Sequence, residues 1–230
     1  MPPTPRLLAL DSSTDTMALA LVAQGQTRVF EAQGGAQASA RMLPEVKALL
    51  AGAGVTMAEL DAIAFGQGPG AFTGLRTACA VAQGLAFGLD RPVLAIDSLM
   101  LVAEDARAQG AGDDLWVAMD ARIGEIYAAR YRWADGAWVV VEAPALYKPE
   151  ALVAHWGQPA AVAGTALTEY AAALGVLPQT WPQARSRAAA LGTLALAAWR
   201  RGETRDAAEA LPVYVRDKVA LTTAERELKS

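Results

Sequence analysis

The stretch best suited to binding chemistry is residues 66–76, which reads GQGPGAFTGLR. It follows a predicted strand and enters a predicted helix, so backbone N–H groups at the start of the helix can bind an anion. No Gly-Lys-Ser or Gly-Lys-Thr follows, and this excludes a Walker motif. Gly68, Gly70 and Thr73 are therefore candidate contacts to a nucleotide.

A second candidate lies at the end of the first predicted strand, where residues 11–14 read DSST. In actin-like kinases this turn meets the nucleotide phosphates, and an acidic group there can hold Mg²⁺. The alternative is a hydrogen-bonded turn that stabilises a hairpin. That alternative is favoured because the turn has no lysine or arginine to meet phosphate charge. Asp11, Ser12 and Ser13 are retained as candidate nucleotide contacts.

The predicted helix behind the glycine-rich stretch carries small residues on more than one side. They are Ala78, Cys79, Ala80, Ala82, Gly84, Ala86 and Gly88. We expect the helix to be covered twice, once by its own sheet and once by another molecule. The alternative is that it only packs tightly against its own sheet.

Charged residues elsewhere point less clearly to a site. Asp120, Arg122 and Glu125 stand at a predicted strand turn and could face a cleft, but a salt-bridged hairpin is the favoured interpretation. The arginines at 185, 187, 200, 201 and 205 are spread along a helical region and are predicted to form a solvated face.

Composition narrows the classes of protein. One cysteine and one histidine exclude an internal disulfide and argue against a zinc or iron site, and His155 is predicted to be a cap or packing residue. A net charge of -4 argues against a large phosphate-binding surface. No apolar run spans a bilayer and residues 1–6 lack signal-peptide order, so we expect a cytoplasmic protein with no membrane contact.

The elements that would position these residues form the series β-β-β-α-β-α twice, followed in the first half by one more strand and helix and in the second half by an extra helix. In the first half the predicted strands are 7–10, 16–22, 28–33, 61–66 and 92–97, and the helices are 39–50, 71–88 and 98–109. In the second half the predicted strands are 115–121, 125–133, 137–141 and 160–164, and the helices are 148–155, 168–174 and 186–201.

Such a repeat predicts an α/β protein with a two-lobed, actin-like (ribonuclease H-like) fold. We expect a first, partner-docking lobe over residues 1–104 and a smaller second lobe over 105–230. The charged residues 203–229 are predicted to be mobile or to pack back on the first lobe.

Five motifs in order along nearly the whole chain resemble those of the bacterial TsaB family, also called YeaZ. They are residues 8–14 (LALDSST), 68–76 (GPGAFTGLR), 82–86 (AQGLA), 120–127 (DARIGEIY) and 212–216 (PVYVR). The second of these blocks is the most specific. Family members take part in the biosynthesis of threonylcarbamoyladenosine beside the anticodon of tRNAs that read ANN codons.

The resemblance implies a non-catalytic subunit that binds and stabilises the catalytic subunit TsaD, with the ATPase TsaE joining the complex. It implies tRNA contact only through the complex, a homodimer when alone, no metal or cofactor of its own, and ATP or ADP at the subunit junction. The implied partner interface is the helical region 39–50 and 72–86, with residues Arg41, Leu43, Val46, Leu50, Phe72, Leu75, Arg76, Cys79, Ala82, Gln83 and Ala86.

Three departures from the family and its catalytic relative stand out. The H-x-x-x-H metal motif of TsaD has no counterpart in residues 98–103, which read SLMLVA, and this leaves a peptidase activity unsupported. A histidine common early in the first helix is absent from residues 38–41, and Ala71 replaces a frequent serine. The competing hypothesis is an actin-like small-molecule kinase or ATPase, which would bind ATP at the turn 11–14.

Overall fold

The computed structural model describes residues 4–216, which form two five-stranded sheets with helices packed on their faces. The strands are β1 Leu7–Asp11, β2 Thr16–Ala23, β3 Gln26–Gln33, β4 Ala62–Gly68, β5 Val93–Asp97, β6 Asp114–Arg122, β7 Glu125–Ala134, β8 Ala137–Tyr147, β9 Ala161–Ala163 and β10 Gln179–Trp181. The helices are α1 Ala38–Gly52, α2 Phe72–Leu89, α3 Ser98–Ala108, α4 Pro149–Trp156, α5 Ala166–Glu169, α6 Ala171–Leu174 and α7 Arg187–Arg200. The predicted α/β fold with a repeated β-β-β-α-β-α unit is confirmed. No helix within the described part of the chain is long and apolar enough to cross a membrane.

The first sheet has the strand order β3-β2-β1-β4-β5. Strands β1 and β2 are antiparallel, whereas β1, β4 and β5 run parallel, so β1 and β4 end at the same edge of the sheet. Every residue of β1 is buried, because helices cover both faces of this strand. Helices α1 and α2 pack on one face, and α3 and α7 pack on the other.

The second sheet has the order β10-β9-β6-β7-β8. The elements of the second lobe differ from the predicted ones in three places. Strand β8 continues to Tyr147, six residues past the predicted end, because it keeps pairing with β7 through bulges. The helix predicted over 168–174 is two short helices that meet at Tyr170. Strand β10 was not predicted, since three residues are too few to give a periodic pattern.

Helix α7 follows the second sheet in the chain but packs on the first sheet. The predicted division into lobes 1–104 and 105–230 had included this helix in the second lobe. Helix α7 contacts β1, β2, β3 and β5. Close contact depends on Gly192, where an added Cβ would lie 2.7 Å from the Thr27 methyl group and 3.3 Å from Ala20 Cβ. The residues after α7 also contact the first lobe, where the backbone of Arg205 pairs with that of Val93, the first residue of β5.

We predict that Gly192→Leu lowers the free energy of unfolding by about 1–3 kcal/mol, because it overpacks the contact between α7 and the sheet. Gly84→Leu is the matched control, since a Cβ on Gly84 in α2 meets open space. It should be neutral or stabilising by up to about 1 kcal/mol through helix propensity. Urea unfolding measures both, and equal effects would contradict this packing of α7.

Candidate functional site

A cleft of about 1100 Å³ separates the two lobes. The first lobe contributes the turn 13–16 and the loop 69–72, and the second contributes residues 119–123 with Thr165. The floor lies where β1 and β4 end, the usual place for a ligand in an open α/β sheet. Apolar side chains such as Val102 line part of the cleft, and Arg187 reaches its floor.

Asp11 at the floor is buried and forms an ion pair with Arg187, the first residue of α7. Arg187 Nη2 and Nε donate to Asp11 Oδ2 at 2.9 and 3.2 Å, and Ser13 Oγ donates to the same oxygen at 3.0 Å. Arg187 Nη2 also donates to Ser13 Oγ at 3.0 Å. The carboxylate expected to meet a metal or phosphate is therefore neutralised from within the chain.

Arg187 is the functional residue that the sequence interpretation missed, since it had been assigned to a solvated face. Only 5% of its surface is exposed, because it lies on the buried face of α7. The signal was present in the spacing: Arg187 stands four residues before Leu191, on the apolar face that continues to Leu194 and Ala198.

The glycine-rich loop packs directly on the DSST turn. Ser12 Oγ donates to the Gly74 carbonyl at 2.7 Å, and Ala71 N donates to the Ser13 carbonyl at 2.7 Å. A Cβ on Gly74 would overlap the Ser12 carbonyl, and one on Gly70 would overlap Ser13. These two glycines therefore permit close contact between two backbone segments, instead of forming an open anion cradle.

The candidate nucleotide contacts consequently divide into three groups. Asp11 and Ser12 are buried, at 0% and 1% exposure. Gly68 lies against the Val213 carbonyl, and Thr73 is exposed beside α1. Ser13 and Gly70 line the cleft, although Ser13 is itself nearly buried.

Six of the eleven residues expected at the partner interface are also buried in the isolated chain, which leaves them little surface for a partner to contact. The buried residues are Val46, Leu50, Leu75, Cys79, Ala82 and Ala86. Most belong to the core between the first sheet and helices α1 and α2. Arg41, Leu43, Phe72, Arg76 and Gln83 keep exposed surface.

Further residues of α2, outside the expected interface, are exposed as well. Ala80 and Gly84 are exposed, and Phe87 has 79% of its surface exposed. Leu43 on the neighbouring helix α1 is 37% exposed. We call these four residues the docking face. Small residues occur on both the buried and the exposed side of α2, so the sequence did not show which side was buried.

One flank of α2 binds the segment 205–214, which we call the strap. Cys79 Sγ donates to the Ala210 carbonyl at 3.0 Å, and Gln83 Nε2 donates to the Ala207 carbonyl at 3.1 Å. Burial raises the pKa of the Cys79 thiol, so it stays protonated and able to donate. This part of the C-terminal region packs on the first lobe; residues 217–229 of the predicted tail lie outside the described residues.

The hairpin between β6 and β7 is salt-bridged, as the favoured interpretation held. Arg122 binds Asp120 at 3.2 Å within the hairpin and Asp15 of the first lobe at 2.7 Å, which joins the two lobes across the cleft. Arg216 binds Glu125 at 2.6 Å.

His155 has the predicted packing role. Its Nε2 lies 2.6 Å from Glu142 Oε2, and its ring stacks on Tyr147 and meets Trp116 edge-on. No group of three histidine, cysteine, aspartate or glutamate side chains in residues 4–216 has a metal-binding arrangement.

Comparison with known proteins agrees with this architecture. The family model described as TsaD, tRNA N6-adenosine threonylcarbamoyltransferase, matches residues 18–224. The tRNA threonylcarbamoyladenosine biosynthesis protein TsaB of Escherichia coli K12 is 31% identical over 94% of this chain and 96% of its own. The Haemophilus influenzae protein of the same name is 40% identical over 53% of this chain and 51% of its own. The structure of YeaZ from Pseudomonas aeruginosa superposes with a TM-score of 0.82 and 39% identity, covering 91% of this chain and 99% of the other.

Two sheets of the same topology, facing each other across a cleft, define a two-lobed actin-like protein. Within that class, the chain belongs to the TsaB family, also called YeaZ, because it matches members of this family along most of its length.

We predict that Arg187→Met lowers the free energy of unfolding by about 3–5 kcal/mol, because Asp11 would be left charged and unpaired in the interior. The double variant D11N/R187M should lose at least about 1 kcal/mol less than the two single variants combined. Urea unfolding of the three variants measures this coupling. Arg200→Met, at the exposed end of the same helix, is the control, with an effect within about 0.5 kcal/mol. Additive effects of the pair would contradict the ion pair.

Proposed function

We propose that the chain is a non-catalytic subunit of the machinery that forms threonylcarbamoyladenosine in tRNA, and that it binds and stabilises TsaD. The relatives named TsaB belong to this pathway, and the chain shares their family. The observation that carries the non-catalytic role is the Asp11–Arg187 ion pair, which places a cation of the chain itself at the floor of the cleft, where an actin-like enzyme would hold phosphate and metal.

The docking face is the surface that we propose TsaD covers. Phe87 and Leu43 project as large apolar side chains, while Ala80 and Gly84 between them allow the backbone of a second helix to approach. An exposed aromatic beside small residues is a favourable anchor in a protein interface. Such an interface should bury on the order of 1,200–2,000 Å² in total.

The proposed partner has related architecture. The family model named for TsaD matches residues 18–224 of this chain, a range that contains both α1 and α2. A partner of the same fold would present equivalent helices, and the two pairs would pack as a four-helix arrangement. In the absence of TsaD, a second copy would cover the same face and form a homodimer.

The other members of the assembly follow from this arrangement. We propose that TsaE joins the heterodimer, that tRNA contact comes through the complex, and that the assembly works in the cytoplasm. ATP or ADP would then lie at the subunit junction, because the floor of this chain's own cleft is occupied by Arg187.

We predict that Phe87→Asp abolishes co-purification with TsaD, because an exposed carboxylate would be buried in an apolar interface. The fold should be unchanged, since Phe87 is 79% exposed. Val176→Asp is the matched control, because Val176 is fully exposed in the second lobe. In reconstituted tRNA modification, Phe87→Asp should remove the stimulation that the wild-type chain gives. Normal binding and stimulation by Phe87→Asp would contradict docking through α2.

We further predict that calorimetric titration of the purified chain with ATP and Mg²⁺ gives no micromolar binding. The competing kinase or ATPase requires such binding together with turnover. The test is needed because the cleft is large enough to hold a small-molecule ligand. Micromolar affinity with release of ADP would reject the non-catalytic role and favour that enzyme.

A further inference from the structure

A shallow groove of about 470 Å³ lies between the first turns of α1 and α2, next to the docking face. Phe72, Ala80 and Val81 give it apolar walls, Ser39 lies at the α1 side, and Arg76 is its charged residue. Since Ala80 also belongs to the docking face, a partner that covers this face would extend over the groove.

Arg76 is held in a fixed position. Its Cζ lies 4.1 Å from the centre of the Phe72 ring, and its Nε donates to the Tyr214 hydroxyl at 2.9 Å. The Phe72 and Tyr214 rings contact each other with their centres 5.3 Å apart. The strap therefore positions the guanidinium through Tyr214, and little side-chain entropy is left to lose when Arg76 binds a further group.

The two terminal nitrogens of Arg76 are available for such a group. Within residues 4–216 no carboxylate lies within 4.0 Å of this guanidinium, whereas Arg41 at the neighbouring turn of α1 is paired with Glu45 at 3.1 Å. A guanidinium with two free N–H groups matches a carboxylate, which it binds through two parallel hydrogen bonds.

The charge of this face is opposite to that of the whole chain. Helix α2 contains no acidic residue and Arg76 is its sole charged side chain, while α1 adds Arg41, Lys47 and Glu45. The chain as a whole has a net charge of -4. A locally cationic patch on an acidic protein favours a partner surface that carries carboxylates.

We infer that this groove receives an aspartate or glutamate side chain of TsaD, whose carboxylate binds Arg76 while its methylene groups lie on Phe72 and Ala80. The inference rests on the proposed function, because it names the chemistry of that interface. A nucleic-acid phosphate fits less well, since the groove has apolar walls and a single guanidinium.

Binding of purified TsaD to the full-length chain, measured by calorimetry at 50 and 300 mM salt, tests the inference. Arg76→Gln should weaken binding at least tenfold at low salt and should flatten its salt dependence. Arg76→Lys, which keeps the charge but loses the planar fork, should fall between Arg76→Gln and the wild-type chain. Arg41→Gln, whose arginine is already paired, is the control and should stay within twofold of wild type.

Each outcome has a defined meaning. Equal affinity of Arg76→Gln and the wild-type chain overturns the acidic-group inference and leaves docking through α2 intact. Failure of the wild-type chain to bind TsaD overturns both. A tenfold loss of affinity in Arg76→Gln with an unchanged urea unfolding midpoint supports the inference. If the midpoint falls as well, and the loss of unfolding free energy equals the loss of binding free energy, Arg76 has a structural role and the inference is overturned. Weaker binding of tRNA by Arg76→Gln, with TsaD affinity unchanged, would also overturn it in favour of a phosphate.

Discussion

The ion pair between Asp11 and Arg187 is the interaction on which the rest of the molecule depends. A buried charge is costly unless an opposite charge and hydrogen bonds accompany it, and here Ser13 supplies the additional bonds. The pair joins the first strand to a helix that begins 176 residues later. It thereby holds the start of α7 on the first sheet, at the floor of the cleft.

The glycine-rich block is explained by the same constraint. With Asp11 directed to Arg187, the turn that follows offers its backbone to the loop 69–74, and the two segments approach so closely that Gly70 and Gly74 cannot carry a side chain. The loop in turn sets the start of α2. This helix is then covered by the sheet, by α1 and by the strap, and the side that remains exposed to solvent includes Ala80, Gly84 and Phe87 of the docking face.

Local patterns were enough to predict most of the fold. Alternating and helical apolar spacing, with Gly and Pro at the turns, gave the order of the elements in both lobes, because those signals act over a few residues. Three features had no such signal. Strand β10 is too short for a pattern, the end of β8 depends on pairing with β7, and the position of α7 depends on the distant Asp11.

The site was predicted less well than the fold, for a related reason. The motifs at 11–14 and 66–76 do meet in space, as their places at two parallel strand ends required. The sequence did not show which faces are buried. Because small residues lie on several sides of α2, the buried Cys79 and Ala82 could not be distinguished from the exposed Ala80 and Gly84. Arg187 was overlooked because an arginine is usually exposed, although its spacing matched the apolar face of its helix.

Photo-cross-linking from position 87 tests the central claim most directly. A photoreactive phenylalanine analogue would replace Phe87 in one preparation and Val176 in another, and each would be irradiated with TsaD. Our account predicts a cross-link from position 87 to a helix of TsaD and none from position 176. A cross-link from position 176 with none from position 87 would contradict it.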